Sequence, residues 1–368
     1  MPMLEEGYQI NGTYEVERFL GEGAFAEVYR VRHKFLGRQA MKVFKRLDMT
    51  ETEVLSTLGE ALLLTQIRHP NIVSVHDANV FKSPQGMCGY FTMEFVSGGS
   101  LDRFWRSHGN QFVPVEDTVS VILQVCRGLS VAHTRTPPII HRDVKPQNIL
   151  VGYEADGLRA RLGDFGLAKE VNHLTLLASA AGTLAFKPPE AFSKDRSDSC
   201  AGDVWALGVT MYRLLTDQLP YEIEPELGWF NRQAFEKELA APTTFNGQVD
   251  AALEKIVLQC LARNPADRYP TARELLVELD KWNKPSPKSK TSGQQEQSLL
   301  RSKAVIDAMS PMDPEEGKVI LKKAMDKARK EGKLFEAADL LEEAFNKAPE
   351  LRQKYANQVK LWRCGISM

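Results

Sequence analysis

Short runs of β-branched and aromatic residues alternate with turns early in the chain, at 14–20, 28–33, 39–44, 72–79 and 90–95. Alternation with period two predicts strands that bury one face. One helical stretch interrupts them, opening on a capping-box spacing from Thr50 to Glu53 and setting Val54, Leu55, Leu58, Ala61 and Leu62 at helical intervals, with Glu60 among them. From Ser100 onward the apolar spacing turns mainly helical, most clearly at 119–133, 204–215, 251–262 and 272–282. The pattern therefore predicts a small antiparallel β unit with one helix, followed by a larger, mainly α unit.

Beyond residue 283 the apolar positions vanish. Residues 284–298 lie in the run NKPSPKSKTSGQQEQS, which cannot bury enough surface to offset its ordering entropy and predicts a flexible linker. Residues 299–368 regain helical periodicity, with helices expected at 318–330, 334–347 and 350–362. Gly332, Ala337, Ala344 and Pro349 follow the small-residue and proline spacing of one tetratricopeptide repeat. Leu334, Ala337, Ala338, Leu341, Ala344 and Phe345 form an apolar face that a lone repeat cannot bury, because such units gain their core by stacking. The face must pack on the tail's own third helix, on the preceding domain, or on a protein partner or second copy.

Several motifs carry chemistry, and they occur in a fixed order. Gly21-Glu22-Gly23-Ala24-Phe25-Ala26-Glu27-Val28 reads as a glycine-rich turn between strands, where small residues let backbone N–H groups approach phosphates. Ala40-Met41-Lys42 ends a strand-like run. His141-Arg142-Asp143-Val144-Lys145-Pro146-Gln147-Asn148 precedes Asp164-Phe165-Gly166. Then come Gly182-Thr183-Leu184-Ala185-Phe186-Lys187-Pro188-Pro189-Glu190, Asp203-Val204-Trp205-Ala206-Leu207-Gly208, and Arg268 within Asn264-Pro265-Ala266-Asp267-Arg268-Tyr269. In this order the motifs resemble those of eukaryotic-type serine/threonine protein kinases, over about three quarters of the chain.

The resemblance implies an α+β, bilobal protein kinase fold with a small C-terminal α-helical domain added. It divides the chain into an N-terminal extension (1–13), a kinase domain (14–283, lobes 14–96 and 97–283), the linker and the tail. It implies ATP and Mg2+ as cofactors, with Mn2+ able to substitute, and protein Ser/Thr hydroxyls as acceptors. Asp143 would accept or orient the hydroxyl proton, and Lys145 would stand beside the transferred phosphoryl group. Asn148 and Asp164 would ligate the metal; Lys42 would grip phosphates, held by Glu60. The nucleotide would lie under the loop 21–26, with Val28 and Ala40 above the adenine, Leu150 below it, Met93 as gatekeeper and the backbone of Glu94 to Val96 along its edge. Phe165 and Gly166 follow the metal-binding aspartate, Asp203 would hold the catalytic-loop backbone, and Glu190 and Arg268 would tie the activation segment to a late helix. Arg142 would bind phosphate placed on Thr175 or Ser179, whereas Thr183 more naturally hydrogen-bonds Asp143 and Lys145. The alternative is a pseudokinase or scaffold that binds nucleotide without phosphotransfer.

Two positions depart from the family pattern. Ala26 replaces the third glycine, which stiffens the loop, and Pro188 replaces an alanine, which rigidifies the stretch before Glu190. Neither removes a catalytic atom.

Composition changes this picture little. A 368-residue chain with 43% hydrophobic residues suits a kinase-sized unit plus something smaller. The net charge of −1 gives no global attraction to nucleic acid or membrane, and the basic stretch 318–333 interleaves with apolar residues as on any solvated amphipathic helix. The five cysteines lack metal-like spacing, and no run approaches ~18 apolar residues, so a cytoplasmic protein is expected. Kinases with this motif set occur in bacteria as well as eukaryotes, and the short tail repeat leans toward a bacterial one.

Overall fold

The computed structural model describes residues 2–23, 26–45, 67–109, 112–155, 157–165, 184–193, 198–221, 234–283 and 313–366. The helix expected around Glu60 and residues 284–312 lie outside them. The chain divides into two compact units, one of Met1–Phe95 with Gly163–Ala180, the other of Val96–Leu162 with Ala181–Met368.

The first unit is built on a six-stranded antiparallel sheet: β1 (Gln9–Ile10), β2 (Tyr14–Glu22), β3 (Ala26–His33), β4 (Gly37–Phe44), β5 (Val75–Ser83) and β6 (Gly86–Glu94), ordered β1-β2-β3-β4-β6-β5. Alternate side chains enter one core, where Tyr14, Val16, Tyr29, Val31, Met41, Val43, Phe81 and Tyr90 are buried. Tyr90 meets Tyr14 and Phe81 edge-on, the favoured aromatic geometry. The expected strand at 72–79 is shifted to Val75–Ser83. The expected extension 1–13 contributes β1, and Leu4 is buried with its N–H donating to Tyr29 Oη at 3.0 Å. Two-residue strands are too short to announce themselves by periodicity.

The second unit is mainly helical: α1 (Leu101–Arg106), α2 (Val115–His133), α3 (Cys200–Thr216), α4 (Pro242–Phe245), α5 (Ala251–Cys260) and α6 (Ala272–Trp282), with a hairpin of β7 (Ile149–Glu154) and β8 (Gly157–Leu162). Helix α3 starts at the Ser199 cap and is apolar nearly all round, so it lies in the core; its Trp205 stacks on Tyr221 at 5.8 Å. Helix α6 opens with a full capping box between Thr271 and Glu274.

The tail belongs to this second unit and forms α7 (Pro314–Glu331), α8 (Leu334–Lys347) and α9 (Glu350–Arg363). Gly332, at φ 65°, ends α7 in the left-handed region. Gly317 lets α7 approach closely, since a Cβ there would lie 2.5 Å from that of Ala348. The apolar face of α8 is covered from two sides, by α7 and α9 and by α1 of the preceding domain.

Candidate functional site

In the first unit, antiparallel register sets Lys42 of β4 opposite Val28 of β3 and Ala40 opposite Met93 of β6. Ala40 and Met93 are buried and Val28 is half-buried. The turn between β2 and β3 is closed by Gly23 N–H donating to the Ala26 carbonyl at 2.8 Å, while Gly21 pairs with Val28 and Glu22 with Glu27. Ala24 and Phe25 at its tip lie outside the described residues. Lys42 Nζ meets Asp164 Oδ1 at 2.8 Å and the Phe91 ring at 6.0 Å. Asp164 adopts φ 55°, a left-handed conformation that aspartate tolerates better than most residues, and Phe165 beside it is buried. The Glu94 N–H donates to Ser74 O, within the unit.

In the second unit, the loop from His141 to Asn148 carries the other charged groups. Its backbone is held from below by Asp203, which sits in the first turn of α3 and is 2% exposed. Asp203 accepts the N–H of His141 at 2.7 Å and of Arg142 at 2.8 Å, and His133 Nε2 lies 3.0 Å from the same carboxylate. His133 Nδ1 accepts the Ala272 N–H, which leaves the proton on Nε2 to donate to Asp203. Arg142 takes φ 68°, a left-handed conformation that these bonds sustain. The carboxylate of Asp143 is gripped at Oδ2 by Lys145 Nζ at 2.8 Å and Asn148 Nδ2 at 2.9 Å. Asn148 Nδ2 also donates to the Asp143 carbonyl at 2.7 Å. With that nitrogen committed, the Asn148 amide offers its oxygen, a hard donor suited to magnesium.

Farther along, Glu190 and Arg268 form a bidentate pair, both contacts at 2.8 Å. Arg268 is 3% exposed, donates to three carbonyls as well, and lies 4.8 Å from the Trp205 ring. Leu150 is half-buried on β7, and the Val96 carbonyl accepts from Gly99 N–H at 3.2 Å. Glu60, Gly166, Thr175, Ser179 and Thr183 fall outside the described residues.

Two contacts had no expectation attached. Lys187 Nζ donates to the Arg142 carbonyl at 2.7 Å and the Asp143 N–H donates to His141 Nδ1 at 3.2 Å, so the peptide entering Asp143 is held on both its polar sides. Burial pushes the Lys187 ammonium below its ordinary pKa, and Asp143 opposes that shift. Arg142 Nε meets Asp198 at 2.6 Å. A lone cation inside the otherwise apolar stretch 184–189 was the available signal for Lys187; nothing in sequence marked Asp198.

Residues 14–279 match the family model described as the protein kinase domain. The chain is 28% identical over 284 residues to the probable serine/threonine-protein kinase PknB of Lactococcus lactis, covering 75% of this chain and 43% of that one. It is 30% identical over 276 residues to serine/threonine-protein kinase PknB of Mycobacterium tuberculosis, covering 73% and 43%. The chain thus spans less than half the length of these curated relatives. Among solved structures, the kinase domain of Mycobacterium tuberculosis PknI, crystallised as a point mutant, matches with a TM-score of 0.56 at 25% identity, over 76% of this chain and 98% of that one.

Proposed function

Because the chain belongs to the protein kinase domain family, we propose that it is a serine/threonine protein kinase that transfers the γ-phosphoryl group of ATP to protein hydroxyls. The observation that carries this reading is the loop at Asp143, where Lys145 and Asn148 hold one carboxylate oxygen above a backbone anchored on Asp203. Phosphoryl transfer asks little covalent work of a protein, so positioning and charge neutralisation supply the rate. Asp143 orients the acceptor hydroxyl and takes its proton, a role contributing roughly 10²–10⁴-fold. Lys145 offsets charge on the phosphoryl oxygens. Lys42, steered by Asp164, grips the nucleotide phosphates, with Glu60 as its further partner.

Magnesium, or manganese, supplies charge neutralisation across the phosphates when bound. The Asn148 amide oxygen and the Asp164 carboxylate would hold it, because both are the hard oxygen donors that Mg2+ takes alongside substrate phosphates and water. Val28, Ala40, Met93, Val96 and Leu150 supply the apolar and backbone contacts for adenine. Thr175 and Ser179 are the autophosphorylation sites of this reading, with Arg142 exchanging Asp198 for the phosphate.

All five cysteines are free, which suits the reducing, cytoplasmic setting of this reading; among the described residues no helix is long and apolar enough to cross a membrane. Protein substrates follow from the activity. A protein partner or second copy binding the tail would use its outer surface, where Val319 and Phe335 are 54% and 60% exposed.

Incubation with γ-labelled ATP, magnesium and a generic basic protein tests the reading. Phosphoserine or phosphothreonine that disappears on chelating the metal is expected. Nucleotide binding without any transfer would favour the pseudokinase, and label on tyrosine alone would contradict the hydroxyl class.

A further inference from the structure

The segment after Val96 runs tightly along β7. A Cβ on Gly98 would lie 2.3 Å from the Val151 carbonyl oxygen, Val151 N–H donates to Gly99 O at 2.9 Å, and Ser100 bridges Leu150. This seam joins Val96 and Leu150, the two residues of the second unit that the kinase reading gives to adenine.

The tail fastens the seam with one carboxylate. Glu342 of α8 accepts from the Ser97 hydroxyl at 2.5 Å with Oε2 and from the Tyr153 N–H at 2.8 Å with Oε1, so one side chain holds both edges. Glu342 is 3% exposed. A carboxylate is driven out of such a place unless donors and a counter-charge compensate it, and both are here. Arg363 of α9 reaches Oε2 at 2.8 Å, Ser97 Oγ at 2.6 Å and Asp339 at 2.6 Å. The contact is not a single point: the Arg352 guanidinium lies 4.6 Å from the Phe104 ring of α1 and 5.1 Å from the Phe345 ring of α8. Charge and apolar surface of the tail are thus already matched to groups of its own chain.

We propose that the tail acts in cis as a fixed clamp on this seam, and that Glu342 is a positioning residue that sets nucleotide affinity without touching nucleotide. The proposal rests on the kinase reading for the roles of Val96 and Leu150. Without Glu342, Ser97 loses its acceptor, the Tyr153 N–H is orphaned, and the seam gains freedom that binding must then remove.

Calorimetric titration of the full chain with MgADP tests this, using Glu342→Ala, Ser97→Ala, the double variant and Glu342→Gln. Weaker binding by roughly five- to tenfold is expected in Glu342→Ala, the low end of coupling between linked sites. Ser97→Ala should lose less, and the double variant no more than Glu342→Ala, because both act through one contact. Glu342→Gln keeps an oxygen for the Tyr153 N–H and should recover part of the loss. Phosphotransfer at saturating nucleotide should stay within about twofold, the mark of a binding effect. Hydrogen exchange at the Tyr153 amide should quicken in Glu342→Ala. A folded Glu342→Ala that binds MgADP as the unaltered chain does would overturn the clamp alone. Should that variant not fold, unchanged binding in Ser97→Ala would overturn it. Failure of the unaltered chain to bind nucleotide would overturn the clamp and the kinase reading together.

Discussion

Lys42 meets Asp164 through a 2.8 Å contact between side chains that keep 15% and 32% of their surface, whereas Asp203 and His133, beneath the Asp143 loop, keep 2% and 0%. The first arrangement is a partly exposed ion pair on a central strand, resting on a single contact and worth little to the fold. The second is a buried carboxylate that satisfies two backbone N–H groups and a histidine, so the loop cannot shift without orphaning them. In the kinase reading, the groups proposed to grip nucleotide are loosely tethered, and the loop that carries the proposed base is built on the core.

The largest effect should come from the scaffold of the second unit. Arg268→Ala removes one partner of a buried bidentate pair and should cost roughly 3–5 kcal/mol in chemical denaturation. Asp203→Asn turns an amide N–H₂ toward groups that need an acceptor. It should cost roughly 1–3 kcal/mol and lower kcat as well, because the backbone under Asp143 loosens. Lys42→Met should behave in the opposite way, with stability within about 1 kcal/mol of the unaltered chain and a steep loss of ATP affinity and transfer. If Lys42→Met destabilised as much as Arg268→Ala, the contrast between the two regions would collapse.

The smallest effect concerns Asp117 of α2, whose carboxyl burial raises above its ordinary range; Lys360 and Arg352 of the tail oppose the shift and Glu116 adds to it. A raised carboxyl pKa means the folded chain binds this proton more tightly than the unfolded one. Asp117 therefore favours folding below its unfolded value and subtracts stability as pH rises from there through the folded value. Asp117→Asn should raise Tm slightly at neutral pH and flatten the acid limb of a Tm-against-pH curve.

What sequence made legible was local or patterned. The loop 141–148, the lysine at 42 and the late Arg268 stand in recognisable runs, and the structure sets Lys42 against Asp164, Asp143 against Lys145 and Asn148, and Glu190 against Arg268. The strands of the first unit followed from alternation. What escaped depends on contacts between segments far apart in the chain. β1 is two residues long and exists only because β2 accepts it. Lys187 meets a carbonyl 45 positions away, and Glu342 meets Ser97 across 245. Glu342 did leave a trace: it lies four positions after Ala338 and three before Phe345, on the stripe those apolar residues define, where a charge needs a buried partner. That partner, Arg363, belongs to another helix, and no periodicity connects the two.

The most direct test of the account is a single-turnover comparison of the unaltered chain with Asp143→Asn, measuring phosphotransfer rate, MgATP affinity and Tm on the same preparations. The account predicts a fall in rate of about 10² or more, with affinity and Tm nearly unchanged, since Asn keeps the shape of Asp143 and an oxygen for Asn148 while losing the ability to take a proton, and the charge it loses belongs to a partly exposed pair with Lys145. An equal rate in the two proteins would contradict the assignment of Asp143 as the base and, with it, the mechanism built on this loop.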